Sequence, residues 1–134
     1  MKNEINLETL KKWHKAVEDR DISVLDDILA EDVVFHSPVV WTPQKGKDIT
    51  KMYLFAAMHI IGGDDFKYIK EVYSDRLACL EFSTKIGDTI INGIDIISFD
   101  EAGLISEFKV MVRPIKGMMA LKEKMFEMMQ NMSG

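Results

Sequence analysis

The stretch that decides the fold runs from Ile90 to Pro114 and reads IINGIDIISFDEAGLISEFKVMVRP. It contains two strand-length runs, which the turn residues at 100–103 separate. Such a short turn makes the two strands antiparallel neighbours. One acid, Asp95, lies among isoleucines in the first run. Burying an ionised carboxylate without a partner costs more free energy than the packing around it contributes. Asp95 is therefore either a functional group or a buried acid satisfied by a tyrosine, a tryptophan or the backbone.

Two further runs of the same kind precede this stretch, FKYIKEVYS at 66–74 and LACLEFSTKI at 77–86. Their turns, at 74–76 and 87–88, are short as well, so the four runs predict an antiparallel meander. After it, Pro114 opens a last helix at a position where its missing N–H costs nothing.

The first half of the chain has helical spacing instead. It predicts a helix over residues 7–19, a short second helix that Asp21 caps, and a third helix that Asp48 caps and Gly62 ends. The third helix presents one apolar face, made of Ile49, Met52, Tyr53, Ala56 and Ile60. A β-branched run, DVVFHSPVV at 32–40, predicts a strand between the second and third helices. The order of elements predicts an α+β fold in one domain, residues 1–134.

The third strand of the meander is apolar on both faces. One face carries Ile90, Ile94 and Ile96, and the other carries Ile91, Ile97 and Phe99 together with Asp95. A strand that is apolar on both faces is covered on both faces. The N-terminal helices cover one face, so the other needs a second copy of the chain or, alternatively, the C-terminal helix. We expect a homodimer through this outer sheet face.

Composition excludes several classes of protein. The 134 residues carry a net charge of −5 and no basic run, which excludes nucleic acid as a partner. The apolar runs are too short to span a membrane, and the charged start shows no secretion signal, so we expect a cytoplasmic protein. Cys79 is the one cysteine, and the three histidines have no metal-ligand spacing. The sequence predicts no metal and no cofactor.

With these elements in this order, the chain resembles the nuclear transport factor 2-like superfamily, in its ketosteroid isomerase and SnoaL-like branch. The resemblance covers nearly the whole chain and is strongest in RDISVLDDILAEDVVFHSPVV and IDIISFDEAGLISEFKV. It implies a cone, in which a strongly curved sheet wraps the helices around a deep apolar pocket. Isomerases, cyclases, epoxide hydrolases, dehydratases and binding modules all share this fold.

The resemblance also implies roles for particular residues. The isomerases move a proton with a carboxylate in the loop after the first strand, and Ser37, preceded by His36, holds that place here. The tyrosine that donates to the substrate oxygen is replaced by Trp13. The protonated acid that completes the oxyanion site is kept as Asp95. Because two of the three groups differ, the resemblance predicts the pocket better than it predicts steroid isomerisation.

The candidate catalytic residues are therefore Asp95, Ser37 and His36. Since adjacent strand residues point to opposite faces, His36 and Ser37 line the pocket together only if the strand is irregular there. We expect ligand contacts from Trp13, Tyr53, Phe55, His59 and Phe108. Heptad-like methionines on the last helix (Met118, Met125, Met128 and Met132, with Leu121) predict either packing against the sheet or partner, or a lid over an apolar ligand.

Two hypotheses follow for the function. The first is acid–base chemistry on a small apolar carbonyl compound, an isomerisation or a ring closure, with Asp95 as acid or base. The second is a non-catalytic module that binds a hydrophobic ligand, which the missing loop carboxylate favours. The alternative to both is a dimerisation scaffold, which predicts a pocket filled by the protein's own side chains.

Overall fold

The structure, a computed structural model, describes residues 2–133 and the side chains of residues 7–131. The elements in chain order are α1 (Lys2–Asp19), α2 (Leu25–Ile28), β1 (Leu29–His36), β2 (Gln44–Lys45), α3 (Lys47–Ile61), β3 (Lys67–Ser74), β4 (Leu77–Ile86), β5 (Thr89–Phe99), β6 (Ile105–Arg113) and α4 (Ile115–Ser133). The predicted α+β fold is confirmed: N-terminal helices, a curved open sheet and a C-terminal helix.

The sheet has six strands in the order β2-β1-β6-β5-β4-β3. Strands β3 to β6 form the predicted antiparallel meander. Strand β1 extends it by pairing with β6 in parallel, an arrangement that the meander alone did not predict. Strand β3 is consequently an edge of the sheet, whereas β5 and β6 lie in its middle.

Two predicted helix caps are wrong. Oδ1 of Asp21 accepts hydrogen bonds from the N–H and hydroxyl of Ser23, at 2.9 and 2.7 Å, in a turn that precedes α2. Helix α3 begins after Gly46, whose φ of 111° favours glycine, and Asp48 lies within its first turn. There its charge complements the positive end of the helix without capping it. The predicted end of α3 at Gly62 is confirmed.

The core lies between the helices and the inner face of the sheet. Its fully buried inner-face residues are Leu80, Phe82, Ile91, Ile97 and Phe108, and α1 packs on this face through Leu10, Trp13 and Ala16. Helix α4 lies on the same side, since Leu121 and Met125 pack in one cluster with Phe82 and Ile91. The alternative in which α4 covers the outer face is therefore wrong.

The outer face of the sheet is left open by the described residues of this chain. Ile94 and Ile96 are half-buried there, and Met111, on the neighbouring strand β6, is 51% exposed. Across the described part of the chain, helices lack the length and apolar character that a membrane span requires.

Candidate functional site

A cavity of about 60 Å³ lies between the helices and the inner face of the sheet. A single water needs ~10–15 Å³ of such space, so the cavity accommodates a few waters or a small molecule. Its wall is almost entirely apolar and includes six aromatic side chains: Trp13, Phe35, Phe66, Tyr68, Phe82 and Phe108. Among the described wall residues none is a lysine, an arginine or a histidine.

Asp95 is the carboxyl group of this wall. The alternation of β5 turns it inward with Gly93 and Ile97, and it is only 6% exposed. Burial raises its pKa from 3.8 to about 7 because an apolar environment disfavours the charged form, and a hydrogen bond from Tyr68 acts in the opposite direction. That bond reaches Oδ2, while Oδ1 has no hydrogen-bond partner among the described residues.

Tyr68 of β3 connects Asp95 to helix α1. Its hydroxyl donates to Oδ2 of Asp95 at 2.6 Å and accepts a hydrogen bond from Nε1 of Trp13 at 2.9 Å. Burial and the nearby Asp95 carboxylate raise the pKa of Tyr68 well above its usual 10, so this hydroxyl keeps its proton. Trp13 can only donate. Its N–H therefore occupies the Tyr68 oxygen and orients the hydroxyl proton toward Asp95.

Aromatic rings flank Asp95 on two sides. Gly93 is paired with Phe82, and Ile97 is paired with Phe108, so Asp95 lies between the two rings along β5. The Phe108 ring contacts Trp13 edge-on, with centroids 4.9 Å apart. The Phe82 ring stacks on Phe66 at 5.2 Å. The carboxyl group is thus enclosed between two aromatic clusters.

Ser37 lines the cavity with Asp95, but its neighbour His36 does not. The hydroxyl oxygen of Ser37 accepts a hydrogen bond from the N–H of Val39 at 3.1 Å. His36 lies on the outer face, where its Nε2 is 2.8 Å from Oε2 of Glu107. His36 is the last residue of β1, and Ser37 is the first residue after it. His36 and Ser37 both line a second pocket, together with Trp41 and Lys109.

The cavity wall differs in part from the predicted ligand contacts. Trp13 and Phe108 line it, but Tyr53, Phe55 and His59 do not. Tyr53 stacks on Phe35 at 5.2 Å, behind the wall, and the rings of Phe55 and His59 pack against each other at 4.2 Å. Helix α3 instead directs Leu54, Ala57, Met58 and Ile61 at the cavity, a stripe that is rotated from the predicted face.

The wall also includes Leu121 and Met125 of α4. Met118 and Met128 are half-buried, and Met132 lies outside the residues whose side chains are described. One side of α4 therefore forms part of the cavity wall. This packing is compatible with both readings of the methionine pattern, packing against the sheet and a lid.

A polar groove adjoins the cavity on the other side of Tyr68. We call it the acidic groove: it is lined by Glu18, Asp19, Asp64 and Glu71, together with Arg20 and His14. Val17, Phe66 and Tyr68 belong to both walls. In the groove Nε2 of His14 is 2.6 Å from Oε1 of Glu71, and the His14 ring meets the Tyr68 ring edge-on. A layer of three side chains therefore separates the cavity from the groove.

Tyr68 is the site residue that sequence reasoning missed. The run FKYIKEVYS predicted its strand, and alternation would have placed Phe66 and Tyr68 on one face. Within the described residues, histidine, cysteine and acidic side chains form no group of three or more that could hold a metal.

No family model matches the chain, and no curated protein does. Solved structures do match. A steroid delta-isomerase from Pseudomonas aeruginosa is 36% identical with a TM-score of 0.91, over 95% of this chain and 93% of that one. An uncharacterised protein with a cystatin-like fold, from Silicibacter pomeroyi DSS-3, is 30% identical with a TM-score of 0.83, over 89% and 83%.

An NTF2-like protein of unknown function from Mesorhizobium loti is 15% identical with a TM-score of 0.75, over 85% of this chain and 95% of that one, and it supports the fold alone. These similarities confirm the resemblance that the sequence predicted. With at least 30% identity to two solved structures over most of its length, the chain belongs to the nuclear transport factor 2-like superfamily, in its ketosteroid isomerase-like and SnoaL-like branch.

Proposed function

We propose that this protein binds a small apolar carbonyl compound in the cavity and moves a proton on it, with Asp95 as the acid–base group. The observation that carries the proposal is a buried carboxyl with a pKa of about 7 and an oxygen, Oδ1, that lacks a partner among the described residues. A group that titrates near neutral pH can both take and return a proton.

The ionised and neutral forms of Asp95 have different chemical roles in the proposed reaction. The ionised carboxylate accepts a proton from the carbon beside the carbonyl. The neutral acid donates to the carbonyl oxygen, and Tyr68, released from the carboxylate, provides a second donor for the enolate. Trp13 acts through Tyr68 by orienting its hydroxyl, and Ser37 contacts the substrate from the opposite wall. The balanced result is an enol or an isomer of the starting ketone.

The size of the cavity favours a substrate smaller than a steroid. A cavity of about 60 Å³ suits a ring of five or six atoms, whereas a four-ring skeleton would extend beyond it or displace wall side chains. The steroid delta-isomerase from Pseudomonas aeruginosa supports the reaction class proposed here. The small cavity and the serine at position 37 argue that this protein does not act on a steroid.

The test is proton exchange on a simple ketone. Cyclopentanone in deuterated buffer should exchange the protons beside its carbonyl faster with the protein than without it, as followed by NMR. Asp95→Asn should reduce the enzymatic rate by 100-fold or more, because the amide cannot accept the proton. Asp88→Asn, at the exposed turn between β4 and β5, makes the same chemical change outside the cavity and should leave the rate unchanged.

The second candidate function is a non-catalytic module that binds a hydrophobic ligand. It is favoured by the cavity wall, in which Asp95 is the one carboxyl among the described residues and Ser37 replaces the loop carboxylate. In that case the ketone would bind without exchange, and Asp95→Asn would change its affinity only modestly.

We also propose that the outer sheet face pairs with a second copy of the chain, and that the protein works in the cytoplasm. The dimer proposal is supported by the apolar centre of that face, with Ile94, Ile96 and Met111, and by the position of α4 on the inner side. Both faces of β5 would then be covered, as its isoleucines require.

A further inference from the structure

The wall of the cavity combines features that favour a cation as well as a neutral ketone. An ionised Asp95 has one protein donor, Tyr68, and no positively charged side chain in the described wall to balance it. A buried carboxylate without a counter-ion is costly, so a ligand that brings a positive charge recovers this free energy. We infer that the cavity binds small hydrophobic primary amines as their ammonium ions, with Oδ1 of Asp95 as the counter-ion.

The aromatic wall suits the rest of such a ligand. Asp95 lies between the cluster of Trp13 and Phe108 and the cluster of Phe66 and Phe82. Aromatic rings attract a cation through the negative charge of their faces, most strongly where water is excluded. The same rings pack against a small hydrocarbon body. A ligand with an ammonium group at Asp95 and an apolar ring beside it would therefore contact both the carboxylate and the aromatic side chains of this wall.

The acidic groove is an independent argument for a cation. It shares Val17, Phe66 and Tyr68 with the cavity wall and carries four carboxylates against Arg20. Two of the four have partners, Glu71 in His14 and Asp19 in Lys15. Clefts lined by one sign of charge raise the local concentration of the opposite ion. Positively charged ligands therefore accumulate on the outer side of the layer that separates the groove from Asp95.

The pH dependence follows from the groups around Asp95. Tyr68 is the titratable side chain in contact with it, and the His14–Glu71 pair lies behind the Tyr68 ring. The rest of the described cavity wall carries no charged side chain: Ser37 is polar, and the other elements contribute Trp13, Met58, Phe82, Val110, Leu121 and Met125. An ammonium ion requires the ionised carboxylate, so below a pKa of about 7 the affinity should fall tenfold for each pH unit. A neutral ligand that accepts a hydrogen bond from the acid shows the opposite trend.

The test compares cyclopentylamine with cyclopentanol, which has the same shape but no charge, by calorimetric titration between pH 5.5 and 8.5. The amine remains protonated over this range, as lysine side chains do. We expect the amine to bind at least tenfold more tightly than the alcohol at pH 8, and its affinity to level off above pH 7. Asp95→Asn should cost the amine tenfold or more and the alcohol less than threefold.

Asp88→Asn, with the same loss of charge outside the cavity, should leave both affinities within twofold. Thermal melting verifies that each variant is folded. Equal affinities for amine and alcohol, an undiminished amine affinity in Asp95→Asn, or no amine binding by the folded protein would each overturn the inference. The inference does not depend on proton transfer: amine binding without ketone exchange would refute only the proposed reaction, and exchange without amine binding would refute only this site.

Discussion

Tyr68 and Asp95 lie two strands apart, on β3 and β5, and their side chains meet over the intervening strand β4 at 2.6 Å. Neighbouring strands are separated by about 4.8 Å, so the two backbones lie roughly 10 Å apart. A side chain as long as tyrosine is needed to cross that distance to an aspartate. The contact therefore depends on both residue types and on an inward position for each.

Removing this hydroxyl should change the titration of Asp95. In Tyr68→Phe the hydrogen bond that lowers the pKa of Asp95 is lost and burial acts alone, so the pKa should rise above about 7. The N–H of Trp13 also loses its acceptor, which should lower the free energy of unfolding by about 1–3 kcal/mol. Carboxyl-carbon NMR titration and urea unfolding measure the two effects. Tyr73→Phe, on the same strand, is the matched control, and an unchanged Asp95 pKa in Tyr68→Phe would contradict the prediction.

The buried acid should also make stability depend on pH. The folded protein holds the Asp95 proton up to about pH 7, whereas the unfolded chain releases it near 3.8, so the free energy of unfolding falls as the pH rises between these values. At about 1.4 kcal/mol per pH unit, this amounts to roughly 4 kcal/mol.

Asp95→Asn has no carboxyl proton to hold, so its free energy of unfolding should not fall in this way. The difference between variant and wild type should therefore shift in favour of the variant between pH 5 and pH 8. Urea unfolding of both proteins at several pH values gives the difference and cancels the titration of other groups. Parallel stability curves would mean that Asp95 has an ordinary pKa in the folded state.

Gly93 should prove essential to the shape of the cavity. A Cβ at this position would overlap Cζ of Phe82 and come within 2.8 Å of the carbonyl oxygen of Met111. In Gly93→Ala the Phe82 ring, which lines the cavity, has to move, at a cost of about 1–3 kcal/mol in stability and with a change in the shape of the cavity. Phe82→Leu in the Gly93→Ala background should recover part of that stability. Additive effects in this double-mutant cycle would exclude the ring as the cause.

The proposed dimer is tested by a charge at the centre of the outer face. Ile96→Lys should shift the protein from dimer to monomer in light scattering after gel filtration. In a two-fold dimer each protomer contributes the same face, so one substitution places two lysines in the interface. Phe126→Lys, on an exposed position of α4, is the control that should remain dimeric. A wild-type protein that is monomeric at all accessible concentrations would refute the proposal.

The meander could be predicted from the sequence because it follows from a period of two between short turns. Alternation also placed Asp95 on one face with Gly93 and Ile97, but the family resemblance, and not the period, assigned that face to the interior. The cavity-facing side of α3 could not be predicted. Its sequence is apolar on most sides, so the stripe with Tyr53 and the stripe with Leu54 fit helical spacing equally well. Packing against the sheet selects the second, and Phe55 and His59 consequently lie away from the cavity.

Tyr68 was not predicted as a site residue, for another reason. Its strand was predicted, but FKYIKEVYS carries apolar or aromatic residues on both alternating faces, Phe66, Tyr68 and Val72 on one and Ile69 and Tyr73 on the other. Alternation therefore does not select which face of this strand is turned inward. The approach of β3 to β5 also depends on the curvature of the sheet, which no local pattern in the sequence encodes.

The position of β3 at the sheet edge gives Tyr68 a mechanical consequence. Seven of the eight residues of β3 are exposed, and Tyr68 is the exception. The strand has a backbone partner on one side only, so the bonds of Tyr68 to Trp13 and Asp95, with the His14–Glu71 pair, fasten it to the interior. A ligand that breaks the hydrogen bond between Tyr68 and Asp95 therefore weakens the attachment of β3 to the interior. Amide hydrogen exchange along β3 then reports occupation of the cavity from the outside of the protein, without a label on the ligand.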